Sequence, residues 1–234
     1  LLSVLVVAFA TLMAAPLAFL RAWTRFSSAN WIEIAVMIPF MTPPFAAAMA
    51  WMDFTRRGGV AEMLLGHGAG KLAHDAIYSV WGMAFIMAAE LFPFLYLILR
   101  TCLNSIPAST LEMAQIAGAS RWQQAVRIIA PNVVGPYSLG ALIIFIKAAG
   151  EFGTPVTLGN AIGYKVLVSS IYEDVTIDPL DFSSTAASSS VLFAIGVGVG
   201  LGRGIRSLLG MMVSAAWGGL IPGMVIIATH VRMV

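Results

Sequence analysis

The sequence predicts an all-α, polytopic transmembrane helical bundle. Of its 234 residues, 59% are hydrophobic and only 10% are charged, whereas soluble proteins carry about 25% charged residues. Several apolar runs reach the length of about 20 residues that an α-helix needs to cross a bilayer. The runs lack the alternation of barrel strands, and only helices satisfy their own backbone groups in hydrocarbon. We therefore expect a membrane-embedded bundle.

Five apolar segments are predicted to cross the membrane. In chain order they are residues 1–20, 32–52, 77–99, 133–150 and 186–202. A sixth apolar stretch, 208–229, is rich in glycine and interrupted by Pro222, so it could be a sixth helix, a re-entrant piece or a foreign tail. We assign residues 1–206 to a transmembrane domain and 207–234 to an apolar C-terminal segment of unassigned status.

Glu90 lies near the middle of the third span, three residues before Pro93. An ionisable group at this depth is costly unless it is paired or hydrated, so Glu90 should face the bundle interior. It is either a pathway or gating residue, with Pro93 allowing a bend, or a structural carboxyl bonded to neighbouring helices. Both interpretations stay open at the level of the sequence.

A half-polar stretch, residues 109–131, separates the third and fourth predicted spans. In a capping box, a Ser or Thr side chain accepts a hydrogen bond from the third helical N–H, while a Glu or Gln three residues later bonds back. This spacing occurs twice, in Ser109 with Glu112 and in Ser120 with Gln123. We therefore predict two short helices at a membrane surface.

These two short helices are predicted to meet at Gly118. Glycine adopts at little cost the left-handed backbone conformation that ends many helices. Pro131 is predicted to close the second helix just before apolar sequence resumes. The stretch 109–131, which we call the elbow, should therefore be a rigid helical unit.

The elbow resembles the EAA loop found in the membrane subunits of binding-protein-dependent ABC importers. That family has Glu-Ala-Ala, then Gly after three residues, and Ile-x-Leu-Pro after nine more. The matching positions are Glu112, Ala114, Gly118, Ile128 and Pro131, while Met113 and Ala130 replace an Ala and a Leu. Both departures exchange one apolar residue for another. The alternative is an ordinary pair of amphipathic interfacial helices, since capping boxes alone are common.

The resemblance implies a permease subunit of an ATP-driven ABC importer, with a five-helix importer core in the bacterial cytoplasmic (inner) membrane. It implies that the elbow is the cytoplasmic coupling helix on which ABC ATPase subunits dock. The ATPase would hold ATP and magnesium, and this chain itself would bind no cofactor. The residues expected to couple to the ATPase are Glu112, Ala114, Gly118, Ala119, Ser120, Trp122, Ile128 and Pro131, with Trp122 filling an ATPase pocket.

Further partners follow from the same resemblance. An extracytoplasmic solute-binding protein would deliver the solute to a cavity between this chain and a second permease half. That half would be a second copy in a homodimer or a fused half of a longer polypeptide. Membrane lipid completes the expected surroundings of the chain.

Residues 149–160 are similar to the segment after the elbow in importers of ferric iron, and less closely to those for polyamines, thiamine and sulfate. We therefore expect ferric iron as the solute, with a polyamine, thiamine or sulfate-type solute as the alternative. Gly150, Gly153 and Pro155 should break the helix near the outer face, where irregular backbone must be buried or line a cavity. This is either a gate or substrate port or a plain helix end.

Lys147 and Glu151 have the i, i+4 spacing that places two side chains on one helical face. An ion pair at the outer end of the fourth span explains them at least as well as a contact with the solute. Together with Glu90, Pro93, Gly153 and Pro155, Glu151 forms the set of candidate pathway or gate residues.

Loop charges predict the orientation when the elbow is taken as cytoplasmic and the spans alternate. The positive-inside rule places excess Lys and Arg on the cytoplasmic side. Seven arginines fall there, namely Arg21, Arg25, Arg100, Arg121, Arg127, Arg203 and Arg206. Most carboxylates fall on the opposite side, although Arg56, Arg57, Lys71 and Lys165 lie there too.

Several other functions find no support in the sequence. No metal site or disulfide is expected, because the histidines lack His-Glu-x-x-His spacing and Cys102 is alone. Residues 66–72 lack the spacing and the Ser or Thr of a phosphate-binding loop, so the chain should not hydrolyse ATP. No basic aromatic surface suggests nucleic acid, and the net charge is only +2. A membrane-embedded enzyme would need a cluster of polar groups at one depth in the spans.

The first residue, Leu1, stands inside an apolar run without an initiator methionine. We therefore expect upstream sequence to be missing, and the chain could be the first half of a two-half permease. A non-transporting membrane fragment of such a protein is the second alternative for its function.

Overall fold

The computed structural model describes residues 1–23, 30–176, 182–198 and 200–202. Helices are the regular structure of these residues, with no strand among them. The helices are α1 Leu2–Trp23, α2 Asn30–Met41, α3 Pro44–Thr55, α4 Val60–Ile77, α5 Val80–Asn104, α6 Ala108–Ile116, α7 Arg121–Gln124, α8 Ala130–Ala149, α9 Asn160–Ile162, α10 Leu167–Thr176 and α11 Phe182–Gly202. The predicted all-α class is confirmed.

Within the described ranges, four helical stretches are long and apolar enough to cross a membrane. They are Leu2–Ala22, Val80–Asn104, Arg121–Ala149 and Phe182–Gly202. Helices α2 and α3 count as a fifth if they form one bent span. The apolar segments predicted near 1–20, 77–99, 133–150 and 186–202 are thereby confirmed as helices. Segments 207–234 and 208–229, Arg25, Arg203, Arg206 and the boundary at residue 206 lie outside the described residues.

The segment predicted as one span over 32–52 is broken. Helices α2 and α3 meet at an angle of 98°. Pro43 has an extended backbone with ψ of 136°, and Pro44 begins α3. A proline forces the preceding residue out of the helical region and donates no hydrogen bond itself, so two in succession end α2. The apolar run over 32–52 did not predict this bend, because mean apolarity does not register the proline pair.

The stretch between the second and third predicted spans contains helix α4 rather than a plain loop. Gly66, with φ of 82°, divides α4 into two helical parts. A Cβ on Gly70 would lie 2.5 Å from the Cα of Glu62, whereas residues eight apart in a straight helix are separated by about 12 Å. Helix α4 therefore folds back on itself, and we call it the α4 hairpin.

The chain divides into two compact units, Leu1–Ser189 and Ser190–Val234. In the second, the described residues 190–198 and 200–202 are helical. The core of the first is built around α5, of which 67% of the apolar window is buried against 28% for α1. Five side chains of α1 at every fourth position, three of them alanines, are buried, namely Leu2, Val6, Ala10, Ala14 and Ala18. Such small residues let two membrane helices approach closely, which brings α1 along α5.

Candidate functional site

The first helix of the elbow, α6, begins one residue before the predicted cap. Pro107 stands at its N-cap with ψ of 133°, and no side chain caps the helix. Ser109 therefore lies inside the first turn, and the predicted capping box with Glu112 is wrong. The reason is that Pro107 already fixes the extended backbone from which the helix starts.

The turn that follows α6 is centred on Gly118, as predicted. Its φ is +82°, in the left-handed region that favours glycine. The N–H of Ala119 donates to the carbonyl of Ala114 at 2.9 Å, and the N–H of Gly118 donates to that of Gln115 at 2.9 Å. These two bonds define a Schellman motif, which satisfies the last carbonyls of the helix. The bend of the elbow is therefore a hydrogen-bonded unit.

The second capping box is confirmed. The N–H of Gln123 donates to Ser120 Oγ at 3.3 Å, and the N–H of Ser120 donates to Gln123 Oε1 at 2.8 Å. Gln124, which the sequence analysis missed, is buried and donates from Nε2 to the carbonyl of Ala119 at 3.0 Å. Bonds on both sides of Gly118 therefore hold α7 against the turn.

Helix α7 does not end at Pro131. It runs through a π-helical turn, Ala125–Ile129, directly into α8, so that Arg121–Ala149 is one helical stretch. Pro131 occupies the first turn of α8, and the expectation that it closes a separate helix is wrong. Because proline has no N–H for the carbonyl four residues earlier, the series of backbone hydrogen bonds is interrupted there. A wider π-helical turn accommodates this interruption. The elbow is thereby joined to a membrane span without a loop.

The outward side of the elbow carries large apolar side chains. Ile116 is 88% exposed and Trp122 is 76% exposed, with Met113 and Val126 also exposed. Among the predicted coupling residues, Glu112, Gly118, Ser120, Trp122 and Pro131 are exposed, while Ala114, Ala119 and Ile128 are half-buried. The sequence analysis did not include Ile116 among the coupling residues, because the motif does not reveal which apolar side chains are exposed. Large exposed apolar side chains are typical of interaction surfaces when they form a contiguous patch.

Three charged side chains tie the helices together where the elbow leaves α5. Arg21 Nη2 lies 3.0 Å from Glu33 Oε1, and Arg100 Nη2 lies 2.7 Å from the same oxygen. Arg21 lies in the last turn of α1, Glu33 in the first turn of α2 and Arg100 near the end of α5. The sequence analysis assigned these arginines to topology alone, because their partner is remote in the chain.

A second polar cluster lies toward the opposite end of α5. Glu90 is half-buried and within electrostatic range of Glu151 and Lys147. Glu151 Oε1 accepts a hydrogen bond from the Thr154 N–H at 3.0 Å, and burial raises the pKa of Glu151. Glu151 Oε2 and Thr154 Oγ1 are buried with no hydrogen-bond partner among the described residues. The cluster therefore has polar capacity left for a further group.

The predicted ion pair between Lys147 and Glu151 is not formed. Lys147 Nζ instead lies 5.8 Å from the ring centre of Phe40, at the outer limit of a cation–π contact. Glu151 turns toward the chain that follows α8, where the Thr154 N–H is its donor. The i, i+4 spacing fails because α8 ends at Ala149, so the two residues do not share one helix.

Gly153 brings this cluster against the bend between α2 and α3. A Cβ on Gly153 would lie 2.8 Å from Phe45 N, 3.2 Å from Pro44 Cβ and 3.1 Å from Glu151 Oε1. Pro155, which is buried, starts a π-helical turn, Pro155–Gly159. Pro93 is buried within α5, which continues through it to Asn104. The structure therefore brings Glu90, Glu151 and Gly153 to one region and keeps the elbow at the other end of α5.

Comparison with known proteins gives one family model and several relatives. The family model described as binding-protein-dependent transport system inner membrane component matches residues 7–229. A putative ferric transport system permease protein of Haemophilus influenzae is 26% identical over 167 residues, which are 71% of this chain and 26% of the relative. A sulfate transport system permease protein of Escherichia coli is 26% identical over 180 residues, or 75% and 63% of the two chains.

A third relative belongs to the ferric group. The ferric transport system permease protein of Actinobacillus pleuropneumoniae is 28% identical over 160 residues, which are 68% of this chain and 23% of the relative. The chain thus spans about a quarter of the ferric relatives, at 26% and 23%, and 63% of the sulfate relative.

Proposed function

The chain belongs to the family of binding-protein-dependent transport system inner membrane components, and from this membership we propose that its elbow couples it to a cytoplasmic ABC ATPase. The family consists of multi-pass membrane permeases rather than enzymes. In the proposed assembly the ATPase holds ATP and magnesium, and this chain contributes the solute pathway. A solute-binding protein outside a bacterial inner membrane and a second permease half complete the importer.

The observation that carries the coupling role is the exposure of Trp122 on a rigid support. An exposed tryptophan at 76% is a typical anchor, since aromatic side chains that fill a partner's pocket dominate many interfaces. The Schellman turn and the capping box fix the backbone on both sides of Gly118. Because α7 continues into α8, a push on the elbow acts on a membrane span as a rigid body.

Coupling is tested by capture of the co-encoded ATPase on the detergent-purified chain. Trp122→Ala is expected to weaken capture by about tenfold or more, the loss typical of an interface anchor. Ile116→Ala should weaken it as well. The matched control is Trp81→Ala, because Trp81 is 62% exposed at the opposite end of α5. Equal capture by wild type and Trp122→Ala would contradict the proposal.

Ferric iron and sulfate are the two solutes that the relatives' names supply, and they rank equally by identity. The paired carboxylates Glu90 and Glu151 favour a cation, because ionisable groups inside membrane proteins commonly line ion and substrate pathways. We therefore place ferric iron first and a sulfate, polyamine or thiamine-type solute as the alternative. A fragment of a two-half permease that does not transport by itself is the second alternative.

The solute is tested by uptake of radioactive iron and of radioactive sulfate into cells that express the transporter with its ATPase and binding protein. Glu151→Gln is expected to reduce iron uptake by about tenfold, since the group stands in the proposed pathway. The control is Asp53→Asn, because Asp53 is an exposed carboxylate outside the elbow. Glu112→Gln is unsuitable, since Glu112 lies in the elbow. Sulfate uptake that survives Glu151→Gln would assign the chain to the alternative.

A further inference from the structure

The α4 hairpin borders a partly open cavity that is separate from the cluster of Glu90, Glu151 and Gly153. Its volume is about 380 Å³, and it is lined by Arg57, Glu62, His67, Gly70, Lys71 and His74. The close approach of Gly70 to Glu62 holds the two halves of the hairpin together around it. The hairpin joins α3 to α5, so the cavity lies at the end of α5 remote from the elbow.

The lining of the cavity is positively charged. Neither Arg57 nor Lys71 forms an ion pair with any residue that the structure describes. The carboxylate of Glu62 is already engaged, because it accepts hydrogen bonds from the Gly58 N–H and from His67. Arg57 is within electrostatic range of Glu62, but two cations against one carboxylate that is already hydrogen-bonded leave a net positive charge, which favours an anion. A guanidinium and an ammonium are the side chains that bind phosphate oxygens best.

The cavity does not fit a metal ion. Over the described ranges, no three His, Cys, Asp or Glu side chains converge as metal ligands. His74 Nδ1 lies 3.0 Å from the Thr55 carbonyl oxygen, and since a carbonyl oxygen only accepts, this nitrogen carries a proton. That nitrogen is therefore not free to bind a metal, and an anionic ligand fits the lining better.

The hairpin that borders the cavity also exposes apolar side chains. Four side chains of the hairpin are between 61% and 80% exposed, namely Met63, Leu64, Leu65 and Leu72. The hairpin is not among the membrane-span candidates, and it connects the outer end of a bent span with the start of α5. A helix that combines exposed apolar side chains with cations in such a place lies in the membrane interface.

We propose that the α4 hairpin is a phospholipid-binding site, in which Arg57 and Lys71 bind the phosphate of an anionic lipid while Met63, Leu64, Leu65 and Leu72 lie among its acyl chains. The cavity alone would accept any tetrahedral oxyanion, including free phosphate or sulfate. The exposed apolar side chains of the same hairpin favour the lipid, because a free anion would leave them in water. Basic pockets at the ends of membrane helices bind anionic headgroups in this way.

The site is tested on the full chain in detergent by titration with phosphatidylglycerol, phosphatidylcholine and inorganic phosphate. Wild type should bind phosphatidylglycerol at least about tenfold more tightly than phosphatidylcholine. The double variant Arg57→Gln with Lys71→Gln should lose about tenfold or more of that affinity, the effect of removing two cations at a membrane surface. Arg56→Gln is the matched control, because Arg56 is adjacent but pairs with Asp53.

Two outcomes would overturn the proposal. One is a double variant that binds phosphatidylglycerol as well as wild type does. The other is inorganic phosphate that displaces the lipid at equal concentration, which would make the cavity a site for free oxyanions. Should the double variant be poorly folded, a spin label on Leu64→Cys in a Cys102→Ser background gives an independent reading. Strong relaxation by oxygen and weak relaxation by a water-soluble nickel complex are expected, and the reverse pattern would also overturn the proposal.

Discussion

At the scale of single residues, Gly118 controls the geometry of the elbow. Its φ of +82° is the reason that α6 and α7 can meet at a tight turn. A Cβ there would contact nothing within 4 Å, so a substitution is penalised by backbone conformation and not by a clash. An L-residue in this region costs roughly 1–2 kcal/mol.

Gly118→Ala is therefore expected to destabilise the turn by roughly 1–2 kcal/mol and to raise hydrogen exchange at the amides of Gly118 and Ala119. The matched control is Gly135→Ala, because Gly135 is helical and also has nothing within 4 Å of its Cβ position. Alanine in a helix interior should stabilise by about 0.5–1 kcal/mol. Unchanged exchange in Gly118→Ala would show that the left-handed backbone is not maintained.

Local signals at this scale were predictable from the sequence, and remote ones were not. Ser120 and Gln123 are three residues apart, so their capping box could be read directly. The capping box predicted at Ser109 does not form, because Pro107, two residues earlier, is already the N-cap of the helix. The contact of Arg21 with Glu33 depends on how two helices pack, which no spacing along the chain specifies. The same holds for the exposure of Ile116.

At the scale of elements, the carboxylate of Glu62 accepts hydrogen bonds from the chain just before the α4 hairpin and from the hairpin's second part. The Gly58 N–H and then His67, both bonded to the carboxylate, hold the pKa of Glu62 below its usual value. A carboxyl whose pKa is depressed by folding stabilises the folded form above its unfolded value, near 4.5. That contribution is lost as the pH falls through the lower, folded pKa.

The hairpin is accordingly expected to open when the pH falls below the usual range of a glutamate. Spin labels on Met63→Cys and Leu72→Cys, in a Cys102→Ser background, would report the distance between its two halves. In the labelled protein that keeps Glu62, the fraction of molecules with a short distance between the two labels should decline in acid. In Glu62→Gln the distance distribution should not change with pH, and a decline of equal size there would contradict the role of Glu62.

Helix identities were predictable from apolar runs, but their breaks were not. The mean hydropathy of residues 32–52 hides the effect of Pro43 and Pro44. The 98° bend between α2 and α3 is evident only in the three-dimensional structure. The stretch that contains Gly66 has no apolar run of membrane-spanning length, so the two helical parts of the α4 hairpin were not predicted.

At the scale of the whole molecule, the first compact unit depends on the close packing of α1 against α5. The alanines of α1 that face α5 are fully buried, Ala14 among them. The two helices approach so closely because a methyl group is the whole side chain. Added volume at this contact must displace one of the helices.

Ala14→Leu is therefore expected to destabilise the folded chain by about 1–3 kcal/mol, the usual cost of overpacking. Thermal unfolding in detergent measures the loss. Leu12→Ala is the matched control, because Leu12 is 69% exposed on the same helix and should alter stability by less than about 0.5 kcal/mol. A melting temperature unchanged in Ala14→Leu would mean that α1 does not pack on α5 in this register.

At Gly153, the chain after α8 packs closely against the bend that joins α2 to α3. Its backbone lies so near Phe45 N that even a methyl group would intrude, at 2.8 Å. A tilt of α3 toward this segment is therefore expected to push it, and to displace Glu151, whose carboxylate accepts a hydrogen bond from the Thr154 N–H in the same segment. By this steric contact, we expect a rotation of one helix to be transmitted to a carboxylate that is remote from it in the chain.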